Sequence, residues 1–486
     1  MEHIITVLSQ YFIMILMILF TFLCFTIFSK YDPDEKKHVL RKQLVIIVLI
    51  NITSYALLHM KTQDVRMLYM GGAVVVLVAA VQILYRLIYK KGNILIINNM
   101  CMLLSIGFIM ISRLNFDKAM KQFQIVVIAL IVTFIVPVII RKWKILKDLT
   151  WLYGIAGLGL LGVVLIMAVT SGGAKLSIEI AGVTFQFSEL VKITFVFFVA
   201  GMFRKTTEFK QVVITTIVAA AHVLVLVLSR DLGNALVFYI AYLVMLYVAT
   251  KKPIYAISGL AAGALASVAA YFLFNHVKQR VVIWRDPISV YNEAGGGYQI
   301  VQGLFGISSG SWFGVGLGDG MPKTIPVVEK DEIFAAICEE MGIIFAICML
   351  LVCMSLFLMI VNVSMKMSKT FYKLIAMGLG AEYAFQVFLT VGGNIKFIPM
   401  TGITLPFVSY GGSSVICAIL IAAIIQGLYI LREDEGEELA KKRREEKRKN
   451  NKKNRGGYQR PGWQPPKREK TLEEKIEEQT EESLRW

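Results

Sequence analysis

Long apolar runs separated by short polar clusters dominate this chain. They fall at 5–29, 43–59, 66–89, 94–112, 123–140, 149–170, 187–204, 211–228, 231–250, 253–275, 332–364, 372–393 and 404–431. Runs of roughly 20 residues carry a helix across a ~30 Å hydrocarbon core at 1.5 Å per residue. They are continuous rather than alternating, which argues against membrane β-strands. Only helices then satisfy their own backbone groups in lipid. The pattern predicts an all-α integral membrane protein of about thirteen helices. The 332–364 run is long, and a tilted helix extending beyond the lipid is expected there. The 5–29 run is too long for a signal-peptide core and lacks a basic start, so it reads as a span.

Composition agrees with this pattern: 56% of the 486 residues are hydrophobic and mean hydropathy is +0.65. The net charge of +17 would suggest nucleic acid on a soluble protein. Here the better reading is loop anchoring, because Lys and Arg hold membrane loops in the cytoplasm. One set of alternate flanks carries clusters such as Lys36, Lys37, Arg41 and Lys42, then Arg86, Lys90 and Lys91, then Arg141, Lys142, Lys144 and Lys147. The opposite set is poorer, with Lys61 and Arg66, Arg113, Lys118 and Lys121, Lys175, Arg230 and Lys396. The richer set is therefore expected inside. The N-terminus is then outside, the C-terminus is cytoplasmic, and the long loop 276–331 is outside. The six cysteines all sit in apolar runs and lack metal-ligand spacing, which suits small core residues.

Loop 276–331 is rich in aromatic residues and glycine, which suits a functional loop rather than a disordered one. Its stretch from Tyr298 is expected to form a short interfacial helix. Residues 433–486 are almost wholly charged and polar. They read as a largely disordered cytoplasmic tail whose basic run, Lys441 to Arg455, can meet anionic lipid headgroups.

Ionisable groups inside spans cost several kcal/mol and usually face protein or water. Glu189 and Lys192 are spaced to pair on one helix face, either as a packing pair or as the wall of a polar cavity. Asp231 is placed to cap the following helix. Glu329, Lys330, Asp331 and Glu332 stand where the loop enters the eleventh run, with Glu339 and Glu340 farther along the same helix. Pro406, Gly411 and Gly412 interrupt the last run. Unwound backbone there can pack internally or expose N–H groups suited to phosphate. His222 and Glu382 are further polar groups within spans. There is no GxxxxGK[ST] loop, HExxH helix or GxSxG elbow, which weakens ATPase, metalloprotease and lipase readings.

Several ordered motifs carry a resemblance. They are Gly297-Tyr-Gln-Ile-Val-Gln302, Phe313-Gly-Val-Gly-Leu-Gly-Asp-Gly320, Asp331-Glu-Ile-Phe-Ala335 with Glu339-Glu-Met-Gly342, and Thr401-Gly-Ile-Thr-Leu-Pro-Phe-Val-Ser-Tyr-Gly-Gly-Ser-Ser414. Weaker pieces are Phe185-Gln-Phe-Ser-Glu-Leu-Val-Lys192 and Asp231-Leu-Gly-Asn-Ala235. With these the chain resembles the SEDS proteins, the group containing FtsW, RodA and SpoVE. The resemblance implies a ten-helix core over 94–432, preceded by about three extra helices in 1–93 and followed by the tail 433–486. It implies a peptidoglycan glycosyltransferase that joins lipid II units at the outer face of the bacterial plasma membrane and works with a class B penicillin-binding protein.

The family's essential aspartate maps onto Asp331, its Glu-Lys pair onto Glu189 and Lys192, and its Gln-Arg pair onto Gln279 and Arg280. Asp331 is then the expected catalytic base. Arg280, Glu189, Lys192, Gln299, Ser409, Gly411 and Gly412 are the expected substrate-binding residues, with Arg280 and Lys192 on the diphosphate, aided by a divalent cation (Mg2+ or Mn2+). This chain has Ser229-Arg230, Phe187, Glu332 and Ser177 where the family usually has Gln-Pro, Pro, an aromatic residue and Trp. A second carboxylate at Glu332 is expected to raise the pKa of Asp331. A lipid-linked-sugar flippase, or a non-catalytic scaffold that activates a penicillin-binding protein, would need a similar polar cavity.

Overall fold

The apolar runs fold as helices throughout the computed structural model, which describes residues 2–30, 32–170, 178–180, 183–293 and 295–455. In chain order the helices are α1 (Glu2–Ser29), α2 (Pro33–Thr62), α3 (Arg66–Ile88), α4 (Ile94–Leu114), α5 (Phe116–Thr133), α6 (Val136–Lys142), α7 (Thr150–Thr170), α8 (Phe187–Met202), α9 (Phe209–Leu228), α10 (Leu232–Thr250), α11 (Pro253–Leu273), α12 (Asn275–Arg285), α13 (Tyr298–Gly310), α14 (Ile333–Lys366), α15 (Thr370–Asn394) and α16 (Gly412–Arg455). A small antiparallel hairpin, β1 (Ile178–Ile180) with β2 (Val183–Phe185), precedes α8, pairing Ile178 with Phe185. Ser177 and the tail beyond Arg455 lie outside the described residues.

Among the described residues, twelve helical segments are long and apolar enough to cross a membrane, α5 and α6 counting together as one. The thirteenth expected run is α8, with 16 residues. This is an all-α, multi-pass membrane protein.

Helix α4 is buried on nearly every face, as expected of a helix apolar all round. It packs against α2, α3, α5, α14 and α16. Several of its polar side chains are bonded to the N-terminal helices. Asn98 Nδ2 donates to Gln43 Oε1 at 2.8 Å, Asn51 Nδ2 donates to Ser105 Oγ at 2.9 Å, and Tyr55 and Ser112 share a hydroxyl contact at 3.2 Å. The extra N-terminal helices are thus part of the bundle. All six cysteines are buried and free.

Three expectations change. The 332–364 run is not one tilted helix, because Gly342 (φ 87°, ψ 164°) breaks α14. The last run does not begin at Thr404. Residues 404–411 form a folded, non-helical segment, and α16 starts at Gly412. The tail is not disordered from 433, since α16 continues as helix to Arg455. Ion pairs of Asp434 with Lys91 at 2.8 Å and Arg141 at 2.5 Å, and of Glu435 with Lys369 at 2.6 Å, hold its first turns to the bundle.

Candidate active site

Residues 276–331 enter at one end of the bundle, and the site is assembled where they meet 400–411. The segment before α14 is tied down at three consecutive residues, two of them to the segment before α16. Tyr410 N donates to Glu329 O at 2.7 Å. Ser409 Oγ donates to Lys330 O at 2.6 Å. Asn394 Nδ2, from the end of α15, donates to Asp331 O at 2.8 Å. With the backbone on either side of its side chain anchored, Asp331 holds a half-buried carboxyl beside Gly402. A Cβ at Gly402, whose φ is +73°, would lie 3.6 Å from Asp331 Oδ2.

Arg280 of α12 reaches the same place and donates from Nη1 to Met400 O at 3.1 Å. The carboxylates of Asp231 and Asp331 are the charges that act on it. Asp231 caps α10 as the sequence suggests, accepting from Asn234 N at 3.3 Å. It also accepts from Gln186 Nε2 at 2.9 Å and Ser188 Oγ at 2.8 Å, linking the starts of α8 and α10.

Burial raises the Asp331 carboxyl above the ordinary aspartate range, with Glu329 adding to the rise and Lys330 and Arg280 opposing it. The adjacent Glu332 differs from expectation. Its carboxylate lies against Gly303 of α13, where a Cβ would come within 2.9 Å of Oε2. Neither oxygen has a hydrogen-bond partner among the described residues. Burial first, then the charge of Asp331, pushes Glu332 up to about 8.

Glu189 and Lys192 form the expected pair at 2.8 Å, and Lys192 Nζ also donates to Gln386 Oε1 at 2.9 Å. Lys192 is 1% exposed. Its ammonium is neutralised inside the protein, which fits the packing reading of the pair. Gln386 Nε2 passes the connection on to Thr404 O at 2.9 Å. Ser409 and Gly411 likewise spend their polar groups internally. Ser409 Oγ accepts from Leu405 N at 2.8 Å, and Gly411 N donates to Gln122 Oε1 at 3.2 Å. The unwound segment, with Gly412 opening α16 behind it, is a positioning device rather than an open cradle of N–H groups. Gln299, on the half-buried side of α13, makes no hydrogen bond among the described residues.

A cavity of about 430 Å³ lies along the segment that leads into Asp331 and is lined by Lys118, Lys323, Glu329 and Lys330. Lys118 pairs with Glu329, while Lys323 and Lys330 form no ion pair among the described residues. Sequence reasoning did not single out Lys118, Lys323, Gln122, Gln386 or Asn394. Gln386 carried a signal, a polar side chain within an apolar run, and Gln122 and Asn394 stand at the edges of such runs. The lysines looked like ordinary loop residues.

Residues 86–433 match the cell cycle protein family FtsW/RodA/SpoVE. The chain belongs to this family, the SEDS group that its motifs resemble. It is 36% identical over 316 residues to the peptidoglycan glycosyltransferase RodA of Mycobacterium bovis, covering 61% of this chain and 66% of that protein. It is 31% identical over 370 residues to a probable peptidoglycan glycosyltransferase FtsW of Pseudoalteromonas translucida, covering 71% of this chain and 89% of that protein. A chain from a peptidoglycan synthase complex that coordinates polymerization and crosslinking shares the SEDS fold, with a TM-score of 0.59 at 22% identity over 70% of this chain and 97% of its own. The SEDS match leaves α1, α2 and most of α3 outside it.

Proposed function

We propose that this SEDS protein polymerises lipid II into glycan strands, with the 276–331 end of the bundle facing the outside of a bacterial plasma membrane and the α16 tail in the cytoplasm. The observation that carries this reading is the anchored, half-buried Asp331 carboxyl under the charge of Arg280, directly after a segment that lines a cavity with Lys118, Lys323 and Lys330. The acceptor sugar hydroxyl attacks the anomeric carbon of a lipid-diphosphate sugar. The new C–O bond forms as the bond to the diphosphate oxygen breaks. The electron pair leaves on undecaprenyl diphosphate, and the configuration inverts. Asp331 accepts the hydroxyl proton, a role typically contributing about 10²–10⁴-fold. Arg280, with Lys330 and Lys323, offsets the charge growing on the diphosphate. The distribution of Lys and Arg supports the orientation.

Among the described residues no three His, Cys, Asp or Glu side chains converge. The donor set therefore fits only a cation that takes most of its ligands from phosphate and water, as Mg2+ does, with Asp331 as the protein's carboxylate. Such a cation would supply charge neutralisation on the diphosphate. The partner that fits is a class B penicillin-binding protein. Similarity to a chain from a complex joining polymerization to crosslinking supports it.

The test is polymerisation of purified lipid II by wild type and Asp331→Asn, with and without the partner, read by product gel. The variant should fold and bind its partner but lose product by about 10²-fold or more. Full activity in the variant would remove Asp331 from the chemistry. Lipid II movement across proteoliposomes without any glycan product would replace the enzyme by a transporter.

A further inference from the structure

At the end of the bundle opposite Asp331, a second cavity of about 550 Å³ opens between the C-terminal ends of α1, α3 and α14, the start of α2, the start of α4 and the middle of α16. Its volume lies within the usual range of ligand pockets, roughly 300–1,000 Å³. Eight of its nineteen lining residues are Lys or Arg and none is Asp or Glu. Lys36 is buried in the wall. Lys30, Lys37 and Lys91 have carboxylate partners outside the cavity, at 2.9, 3.0 and 2.8 Å. Arg41, Arg86, Lys90 and Lys366 form no ion pair among the described residues.

Helix α4 starts here, with Asn93 and its first two residues in the lining, so the positive end of its dipole adds to the field. Ile27, Phe28, Leu40 and Met359 give the lining an apolar side. Beside Arg86, Leu84, Leu87 and Ile88 stay exposed on α3.

Cations crowded into one cavity in excess of their counter-charges repel one another and favour a bound anion. Basic pockets between membrane helices suit lipid headgroups. We propose that this cavity binds a phosphate-bearing anionic lipid. Its headgroup lies among Arg41, Arg86, Lys90 and Lys366, and its chains run along the apolar lining onto α3. The site is built largely from α1–α4, and it is independent of glycosyl transfer.

The experiment uses the purified full-length protein in mixed micelles of phosphatidylglycerol and phosphatidylcholine. Retained lipid is counted by native mass spectrometry, and thermal stability is followed in parallel. Wild type should retain phosphatidylglycerol selectively and melt higher with it, and added salt should weaken both effects. Arg41→Gln/Lys90→Gln/Lys366→Gln should lose retention by roughly 100-fold, as expected for three near-surface charges. The charge-keeping Arg41→Lys/Lys90→Arg/Lys366→Arg should retain the lipid. So should Lys441→Gln/Lys442→Gln, which tests the basic tail. If the neutral triple variant does not fold, Lys90→Gln alone should lower retention by about fivefold under the same readout. Equal retention of phosphatidylcholine, or unchanged retention in the neutral variants, overturns the proposal. Protection by inorganic pyrophosphate without any by phosphatidylglycerol also overturns it, since the occupant would then be a soluble anion.

Discussion

Asp331 and Glu332 are neighbours in sequence but face different surroundings. Asp331 looks toward Arg280 and Gly402. Glu332 is 1% exposed against α13, with both oxygens unpartnered among the described residues. Its pKa rises from 4.5 to about 8, so the native state binds a proton that the unfolded chain has released. Across that window Glu332 costs stability as pH rises, by at most about 1.4 kcal/mol per pH unit. Glu332→Gln should therefore match wild type in melting temperature near pH 5 and exceed it increasingly toward pH 8.5. A constant offset at all pH values would refute the protonation assigned to Glu332. Because Asp331 is also raised, and a base must be ionised, polymerisation should fall on acidification at a higher pH than for an ordinary aspartate. Lys192→Met should cost about 3–5 kcal/mol by leaving Glu189 buried and unpaired. Glu189→Gln/Lys192→Met should recover much of that loss in the same denaturation measurement.

Among the elements, α14 shows how a break can be built in. At Gly342 the backbone takes a conformation essentially reserved for glycine. The interrupted helical hydrogen bonds are replaced by the 311–316 loop. Val315 N donates to Glu339 O at 2.9 Å, and Gly316 N donates to Glu340 O at 3.0 Å. In return Ile343 N donates to Ser311 O at 3.0 Å. A Cβ at Gly342 would sit 2.4 Å from Phe313 C, which is backbone and cannot step aside. Gly342→Ala should therefore lower stability by about 1–3 kcal/mol from backbone strain alone. It should also reduce turnover, because the displaced first part of α14 begins two residues after Asp331. Melting and product formation measured on one preparation check both effects. Unchanged values would mean that the break is not required.

Over the whole molecule, the N-terminal helices reach the functional loop. Gln10 of α1 donates to Phe313 O at 2.6 Å and Gly314 O at 2.8 Å. Lys61 of α2 pairs with Asp319, and Arg113 of α4 holds Glu340 at 3.1 Å and Gly320 O at 3.1 Å. Gln10→Ala/Lys61→Met should leave the melting temperature nearly unchanged, since exposed and rim contacts contribute only about 0–1 kcal/mol each. Amide exchange over residues 311–320 should nevertheless quicken. Unaltered exchange there would show that α1 and α2 do not restrain the loop.

The apolar runs alone determined that the chain is a helical membrane protein, because a lipid core accepts only long, self-satisfied helices. Spacing alone predicted the Glu189–Lys192 pair and the Asp231 cap, since both are interactions within a helix turn. The resemblance pointed to Asp331 and Arg280 as members of one site. The break at Gly342, the folding of 404–411 against 329–331 and the separate environments of Asp331 and Glu332 were decided only by tertiary structure. Each depends on partners roughly 30 to 80 residues away, and neither periodicity nor local spacing carries that information. The same holds for the basic cavity, whose cations belong to separate loop anchors until packing brings α1, α2, α3 and α14 together at one end of the bundle.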